Sequence, residues 1–473
     1  MREAFAVLFS LFFFVASYPY AKNLQLSGYD AIFQLKHYFS QPYEFGGKNR
    51  LVFTKRVWRL TILHFLLLLG LNFLIFLLIQ PFWGIIIAVV LELVILQALL
   101  LFCSVLLLPV ENCIKKSYIK KAKKILDGFR GIKIAITGSF GKSSTKNFLT
   151  QMLKSRFSVC CTPKNFNTPM GLCKTANENL KKDDDILVVE MGARKKGDIA
   201  ELMNMLKPSF GILTAIGEQH LETFGSLEAV KNTKFELCEH MCTGGCVVFD
   251  RASENTNELF KKYRGEKKGC LRKGDFAYIE SLKMSASGCK FKLHLGEKVV
   301  EIKTKVIGEL ILSDFVLAAA MAYLLGVDER SIAQVALQLK PFPHRLQIIK
   351  TPLSTIIDDS YNSNPQGAEQ ALKALRLFKG KKIVVTPGFV EQGERQYELN
   401  YKFGKLIASS CDELVIMNKV NQTALFMGAK AGGMQEKHIH FAKNRQTQAE
   451  KLHQLQQKGS VVLFENDLPD NFK

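Results

Sequence analysis

The sequence predicts an α/β protein with transmembrane helices at its N-terminus and two α/β domains behind them. Apolar residues concentrate in the first 110 of the 473 positions. The remainder alternates short apolar, β-branched runs with amphipathic helical patterns, which is typical of a parallel sheet covered by helices. A segment rich in glycine and serine, residues 137–144, lies between the first such run and its helix. We therefore expect a transmembrane region, a basic cytoplasmic linker, a central domain and a C-terminal domain, at residues 1–110, 111–131, 132–340 and 341–473.

Two long apolar segments, residues 60–79 and 81–109, each reach the ~20 residues that a helix needs to cross a bilayer. Residues 4–21 form a third apolar segment, which we interpret as a span and, alternatively, as a signal peptide. Seven Lys or Arg stand against two acids in residues 22–59, and eight against two in residues 111–133. Such basic flanks mark the cytoplasmic side. The prediction is a multi-pass protein of a bacterial-type cytoplasmic membrane, with its two α/β domains in the cytoplasm.

The net charge of +21 permits several partners. The basic runs adjoin the apolar segments, so we expect a membrane partner and no nucleic acid. The eleven cysteines are scattered without a CxxC pair, so we expect reduced thiols. Glu92 falls near the middle of the third span, where a carboxylate either has a function or stabilises the hairpin in its protonated form.

A phosphate-binding loop is the strongest motif of the chain. Residues 132–136 predict a buried strand and residues 143–153 a helix. Glycines between them let backbone N–H groups turn toward phosphate, Lys142 can reach the terminal phosphates, and Ser143 can offer a hydroxyl to Mg²⁺. This pattern predicts a central P-loop ATPase-type α/β domain, although Ile136 stands where the general motif has its first glycine. The predicted ATP-binding residues of the loop are Gly138, Ser139, Phe140, Gly141, Lys142, Ser143 and Ser144.

The loop sequence ITGSFGKSST, residues 136–145, resembles the TGTxGKT/S loop of the Mur ligase family. Five further segments follow in the order that this family shows, so the resemblance spans roughly residues 130–473. It implies an ADP-forming acid–amino-acid ligase that uses ATP and Mg²⁺ and proceeds through an acyl phosphate.

Two of these segments imply ligands at the edge of the central sheet. Residues 165–171 are similar to the family's N-x-N-x-x-x-G stretch, which makes Asn165 and Asn167 candidates for substrate binding. The strand ILVVEMG delivers Glu190 at its carboxyl end, where open α/β sheets place their ligand chemistry. Glu190 is a candidate ligand of Mg²⁺ together with Ser143; a helix-capping acid is the alternative.

The next segment, ILTAIGEQHLETFG at residues 212–225, is similar to ITNIGxAHLExFG. The resemblance places His220 at a second metal ion and makes Lys234 the family's carbamylated lysine, a further metal ligand. With Lys142, these two residues are the predicted catalytic residues. The alternatives are a structural histidine and a solvated helix lysine.

The C-terminal part continues the resemblance. Residues 357–365 are close to DDxYNxNP and follow Arg345, which implies that Arg345, Asp359 and Asn362 approach the nucleotide from the second domain. Apolar runs at residues 383–388, 414–417 and 461–464 predict a Rossmann-like C-terminal α/β domain. Departures occur at residues 308–311, where the family has G-x-H-N, and at residues 464–470, where it has a basic KGS element.

The resemblance implies the addition of an amino acid or a D-Ala-D-Ala-type dipeptide to a muramyl peptide or a related cell-envelope precursor. The precursor is either a small molecule or lipid-linked, and the amine is the second substrate. Two alternatives stay open: a membrane-bound ligase for another envelope polymer such as a poly-amino acid, and a nucleotide-binding membrane scaffold or transporter that makes no bond.

Overall fold

The structure is a computed structural model that divides into two compact units, Met1–Lys120 and Lys121–Lys473. It describes residues 2–26, 29, 51–79, 81–164, 166–217, 224–340, 343–360, 364–390 and 392–467. The predicted boundaries at residues 110, 131 and 340 stay predictions.

The first unit is built from helices. Its described helices are α1 (Arg2–Ala16), α2 (Tyr18–Leu26), α3 (Lys55–Leu78), α4 (Pro81–Leu106) and α5 (Leu108–Gly128), the last of which crosses the boundary between the units. Thr54 begins α3 by accepting a hydrogen bond from the N–H of Val57, a common N-cap. Phe13, Leu68 and Leu96 pack together in its interior, because apolar residues of three helices share one contact surface.

The multi-pass membrane location predicted from the sequence is wrong. Among the described residues, α3 alone is by itself long and apolar enough to cross a membrane. The helices α1 and α2 meet at a bend of 41°, and α4 bends by 64° between Ile85–Leu91 and Ile95–Leu106; these bent pairs would pass only if each counted as one span. Pro19 at the start of α2 cannot donate a backbone hydrogen bond, which accounts for the first break. Apolar composition therefore predicted the helices but not their continuity.

The central part of the second unit is a nine-stranded sheet in the order β2-β3-β1-β4-β5-β6-β7-β8-β9. Strands β1 to β6 pair in parallel, and β7, β8 and β9 form an antiparallel meander. The strands are β1 (Ile132–Thr137), β2 (Val159–Cys161), β3 (Ile186–Glu190), β4 (Phe210–Leu213), β5 (Cys246–Asp250), β6 (Glu266–Cys270), β7 (Ala277–Ser285), β8 (Gly288–Leu295) and β9 (Lys298–Thr304). The inner strands β3 and β5 are buried along their whole length, as expected for a parallel sheet that is covered on both faces.

Helices connect and cover these strands. They are α6 (Lys142–Leu153), α7 (Pro169–Glu178), α8 (Asp198–Leu206), α9 (Leu227–Glu239), α10 (Glu254–Lys262), α11 (Glu309–Leu324) and α12 (Glu329–Gln338). The helix α11 is apolar on nearly all sides and packs against α6, where the rings of Phe148 and Phe315 meet edge to face with centroids 6.3 Å apart. This packing brings a distant part of the chain next to the helix that follows the glycine loop.

The C-terminal part of the second unit is a six-stranded sheet in the order β10-β11-β15-β12-β13-β14, parallel except for β10. Its strands are β10 (Gln347–Lys350), β11 (Ser354–Asp359), β12 (Lys382–Thr386), β13 (Glu413–Met417), β14 (Ile439–Ala442) and β15 (Ser460–Glu465). Its helices are α13 (Pro365–Arg376), α14 (Gln396–Ala408), α15 (Gln422–Ala431) and α16 (Arg445–Leu455). The strands β12, β13 and β15 lie where the apolar runs predicted them.

Register places three functional segments at one edge of the central sheet. Ile136 of β1 pairs with Glu190 of β3, and Thr137 pairs with Leu213 of β4. The glycine loop, Glu190 and the segment after β4 therefore leave the sheet side by side. In parallel α/β sheets this carboxyl edge is where ligands bind.

Candidate functional site

The glycine loop connects the end of β1 to the start of α6. Gly138 has φ +150° and Gly141 has φ +83°, conformations that side chains other than glycine rarely adopt. A Cβ atom on Gly138 would lie 1.9 Å from Oγ1 of Thr214, and one on Gly141 would lie 2.0 Å from Oδ1 of Asp314. Both the backbone angle and the close neighbours therefore require glycine at these positions.

Hydrogen bonds to the segment after β4 fix the loop. The N–H groups of Ser139 and Phe140 donate to the carbonyl of Ala215 at 2.9 and 3.2 Å. The hydroxyl of Thr214 lies 2.5 Å from the carbonyl oxygen of Phe140 and donates to it, and the Ser139 hydroxyl donates to the carbonyl of Gly217 at 3.0 Å. The loop is thus held in its curved shape by protein groups before any ligand arrives.

Lys142 is the first residue of α6, and its amine curls back over the loop. Its Nζ donates to the carbonyl oxygens of Gly138 and Ser139 at 2.8 and 2.9 Å. Burial lowers the pKa of Lys142 to about 8, the carboxylate of Glu190 opposes this change, and the positive charge of Arg345 adds to it. An ammonium at this position can form charge-assisted hydrogen bonds to phosphate oxygens.

Ser143 and Glu190 form a pair of oxygen donors beside Lys142. The Ser143 hydroxyl lies 3.0 Å from each carboxylate oxygen of Glu190 and donates to them. Glu190 is only 2% exposed, and Lys146 of α6 lies 3.0 Å from its Oε2. A hydroxyl and a carboxylate are hard oxygen ligands of the kind that Mg²⁺ binds alongside water and phosphate. The described residues contain no group of three or more His, Cys, Asp or Glu side chains that could hold a metal ion, so phosphate and water would have to complete such a site.

Lys234 lies on α9 and lines the same cavity as Lys142. It is 4% exposed, so it is a buried amine and not a solvated helix lysine. Burial lowers its pKa to about 7, and the positive charge of Lys142 contributes to this change. The predicted second metal ligand, His220, lies outside the described residues.

Residues of the C-terminal sheet close the other side of the cavity. Arg345 and Asp359 both line it. The Oδ1 atom of Asp359 accepts a hydrogen bond from the N–H of Leu346 at 3.0 Å. Burial raises the pKa of Asp359 to about 6, against the influence of the Arg345 guanidinium. Asn362 lies outside the described residues.

Asn167, one of the two predicted substrate-binding residues, lines the cavity. Its carbonyl oxygen accepts a hydrogen bond from the N–H of Gly192 at 2.8 Å, which ties this loop to the end of β3. Asn165, the other predicted substrate-binding residue, lies outside the described residues. Ser139, Phe140, Gly141, Ser143 and Ser144 also line the cavity, so the structure brings most of the predicted loop together with Glu190 and Lys234.

The cavity has a volume of about 580 Å³ and includes residues that the sequence analysis missed. Asp250 ends β5 at the same sheet edge as Glu190, and that position was the signal that could have found it. Asp314 is an acid within the apolar helix α11, which was also a signal; burial raises its pKa well above the usual value. Arg194 lines the cavity from an exposed loop that carries no recognisable pattern. Leu310, from the segment that replaces G-x-H-N, gives the cavity an apolar wall.

The site combines a glycine loop between a buried strand and a helix, an acid at the end of the adjacent strand, and a second α/β domain that faces both. This combination defines a two-domain α/β protein of the phosphate-binding-loop class. Two family descriptions match the chain: "Mur ligase middle domain" at residues 136–322 and "Mur ligase, glutamate ligase domain" at residues 344–465. The chain belongs to the Mur ligase family. The first match begins at residue 136, so the helices of the first unit lie outside it.

Several curated relatives are named UDP-N-acetylmuramoyl-tripeptide–D-alanyl-D-alanine ligase. The protein of Buchnera aphidicola is 28% identical over 288 residues, which are 59% of this chain and 62% of that protein. That of Mycobacterium bovis is 31% identical over 254 residues, 51% of this chain and 48% of that protein. The chain thus spans about half to just under two thirds of the length of these relatives.

Solved structures show the same fold. The MurF ligase of Thermotoga maritima, determined in complex with ADP, superposes with a TM-score of 0.67 at 26% identity, covering 74% of this chain and 80% of that one. MurF from Acinetobacter baumannii superposes with a TM-score of 0.67 at 22% identity, covering 74% and 77%. These likenesses bear on the α/β domains of the second unit.

Proposed function

We propose that the chain is an ATP-dependent, ADP-forming ligase that adds a D-Ala-D-Ala-type dipeptide to a UDP-linked muramyl tripeptide through an acyl phosphate. One observation carries the proposal. The phosphate loop, Glu190 and Lys234 of the central domain share one cavity with Arg345 and Asp359 of the C-terminal domain. The names of the relatives supply the substrate class, because they act on a muramoyl tripeptide and D-alanyl-D-alanine.

The residues present suit MgATP. The backbone N–H groups at the N-terminus of α6, where the loop ends, form an anion site. The amine of Lys142 reaches this site from the carbonyls of Gly138 and Ser139. Ser143 and Glu190 would hold Mg²⁺, which when bound neutralises charge on the phosphate oxygens. The ADP complex of the Thermotoga maritima MurF supports a nucleotide in this class of site.

In the proposed reaction, a carboxylate oxygen of the donor attacks the γ-phosphorus of ATP, the bond from that phosphorus to the β,γ-bridging oxygen breaks, and ADP leaves. Lys142 stabilises the charge that spreads over the transferred phosphoryl oxygens. The amine of the dipeptide then attacks the acyl carbon, phosphate leaves, and the amine loses a proton. Arg345 and Asp359 contact the nucleotide from the second domain, close the site around it and exclude water.

We further propose that Lys234 is carbamylated. Its buried amine has a pKa lowered to about 7, so a large share is neutral at physiological pH and can attack CO₂. The amine nitrogen bonds to the carbon of CO₂ and releases one proton, which gives an anionic carbamate. A carbamate removes the positive charge of Lys234 next to Lys142 and, with His220, would supply oxygen and nitrogen ligands for a second metal ion.

The remaining site assignments are also proposals. We assign Asn165 and Asn167 to the donor substrate, and Asn362 with Arg345 and Asp359 to the nucleotide. The scaffold alternative predicts no bond formation, whereas a cavity with a buried, carbamylation-competent lysine favours catalysis. A ligase for another envelope polymer differs only in its amine or donor.

The test is a product assay with purified full-length protein, MgATP, a UDP-muramyl tripeptide and D-Ala-D-Ala. We expect ADP and phosphate to form in proportion to the dipeptide, and mass spectrometry to show the UDP-muramyl pentapeptide. Lys142→Ala should lower the rate about a hundredfold or more, while Lys154→Ala, an exposed lysine at the other end of α6, should not. Phosphate release that does not depend on any amine would contradict the proposal.

A further inference from the structure

Lys146 is a buried lysine one helical turn beyond Lys142, and the reaction described above gives it no role. It is 4% exposed. Its Nζ lies 3.0 Å from Oε2 of Glu190 and donates to the carbonyl oxygens of Thr162 and Lys164 at 2.9 and 2.7 Å. An ammonium group has three N–H donors; two of those of Lys146 bond carbonyl oxygens, and its charge forms an ion pair with Glu190.

The contact with Lys146 makes the two oxygens of the Glu190 carboxylate different. Oε2 forms the ion pair with Lys146 and also lies 3.0 Å from the Ser143 hydroxyl, whereas Oε1 lies 3.0 Å from the same hydroxyl. Because the Ser143 hydroxyl can rotate away, Lys146 is the fixed partner and holds the carboxylate by one oxygen. Oε1 is then the oxygen that can bind a cation in the cavity, which Glu190 lines.

The backbone of Glu190 is fixed by the same network. Its N–H donates to Oγ1 of Thr162 at 3.1 Å, while Lys146 binds the carbonyl oxygen of Thr162. The amine therefore connects α6, the end of β3 and the segment after β2. Buried charge pairs of this kind orient groups that act on a ligand, because neither member can move without leaving the other unpaired.

The same amine reaches the substrate loop. Lys164 has a left-handed backbone with φ +45°, which costs energy for a residue other than glycine. The hydrogen bond from Lys146 to its carbonyl oxygen compensates part of that cost. Asn167 and Thr168, a few residues further on, line the cavity.

We propose that Lys146 is the positioning residue of the magnesium site: it sets the carboxylate of Glu190 for Mg²⁺ and ties that carboxylate to the loop that receives the donor. This inference rests on the proposed function, since it takes Glu190 as the metal ligand. Partners that orient a metal ligand contribute about 10- to 100-fold to metal affinity.

The experiment measures ADP binding by calorimetry to the full-length protein at increasing Mg²⁺ concentration, and without Mg²⁺. Lys146→Met keeps the length of the side chain and removes its charge. We expect the Mg²⁺ concentration that gives half of the maximal increase in ADP affinity to rise about tenfold or more. The ADP affinity without Mg²⁺ should change by less than about threefold. A purely structural role would lower the ADP affinity equally with and without Mg²⁺.

Lys154→Met is the matched control, because it makes the same substitution at the exposed C-terminal end of α6, and it should leave both affinities unchanged. If Lys146→Met does not fold, Lys146→Gln is measured by the same criterion. An unchanged Mg²⁺ dependence in a folded variant overturns the inference, and so does an equal loss of metal-free ADP binding.

These results separate the inference from the proposed function. A parent protein that binds MgADP but releases no phosphate on addition of amine contradicts the ligase proposal, and the Mg²⁺ titration still decides the role of Lys146. A parent protein that forms product while its Lys146→Met variant keeps normal Mg²⁺ dependence contradicts only the inference.

Discussion

Replacing Gly141 by alanine tests whether the phosphate loop depends on close contact with α11. Gly141 is the N-cap of α6 with φ +83° and ψ −14°, and a Cβ there would lie 2.0 Å from Oδ1 and 2.8 Å from Cγ of Asp314. Gly197 is the N-cap of α8 with φ +90° and ψ −14°, and a Cβ there would meet nothing within 4 Å. The two glycines share a backbone conformation and differ in what surrounds them.

The magnitudes follow from this comparison. Alanine in the left-handed region costs about 1–2 kcal/mol, so Gly197→Ala should lower the free energy of unfolding by about that amount. Gly141→Ala should cost the same plus about 1–3 kcal/mol for the overlap with Asp314, as measured for overpacked interiors. Because the loop or Asp314 must move to relieve the overlap, Gly141→Ala should also lose at least tenfold in MgADP affinity.

Urea unfolding gives the two stabilities, and calorimetry gives the two affinities. Equal destabilisation by both substitutions would show that Asp314 does not press on the loop. Normal MgADP binding by a folded Gly141→Ala protein would refute the link between the loop shape and nucleotide binding.

Three further predictions concern single side chains. Burial raises the pKa of Asp359 from 3.8 to about 6, so between these pH values the folded state binds more protons at this carboxyl than the unfolded state. The contribution of Asp359 to the free energy of unfolding should therefore fall by about 3 kcal/mol at most as pH rises from about 4 to about 6. The pH profiles of urea unfolding of the parent and of Asp359→Asn should differ by this fall. Lys234→Ala should abolish product formation, and added formate or acetate should restore part of the rate if a carbamate acts there; no rescue, with the parent rate independent of bicarbonate, would argue against carbamylation. Thr214→Val removes the hydroxyl that donates to the carbonyl of Phe140 and also lies 3.2 Å from that of Thr137. It should lower the free energy of unfolding by about 1–3 kcal/mol and weaken MgADP binding. A change in neither quantity would show that the loop keeps its shape without this hydroxyl.

Local sequence was sufficient to predict the centre of the site. A short apolar run, a glycine loop and an amphipathic helix are contiguous in the chain, and their geometry is set largely by neighbouring residues. The placement of Glu190 beside the loop also followed from the sequence, because the carboxyl ends of adjacent parallel strands share one edge.

The partners that reach the loop from elsewhere could not be predicted in this way. Asp314 contacts the loop because α11 packs against α6 through Phe148 and Phe315, and no local pattern specifies which helices pack together. Lys146 had the appearance of an ordinary helix lysine. Its burial depends on the segment after β2, which supplies two carbonyl acceptors.

The antiparallel meander was missed although the sequence carries a signal for it, and the N-terminal helices were predicted in more detail than their sequence supports. The meander of β7, β8 and β9 was not predicted, although β8 alternates buried and exposed residues and is bounded by Gly288 and Gly296 with positive φ, which is a recognisable hairpin signal. The N-terminal apolar runs were overinterpreted. Hydropathy reports composition, whereas the bend between α1 and α2 depends on Pro19 and on packing.

The outer strands of both sheets bear on association between copies of the chain. The described edge strands β2, β10 and β14 contain three or four residues each, too few to template a long ladder with a foreign strand. The remaining edge, β9, is longer but carries Lys298 and Lys303 with Glu301 between them. Short or charged margins of this kind discourage strand-to-strand aggregation, so we expect concentrated samples of the α/β domains to resist forming fibrillar, sheet-extended assemblies.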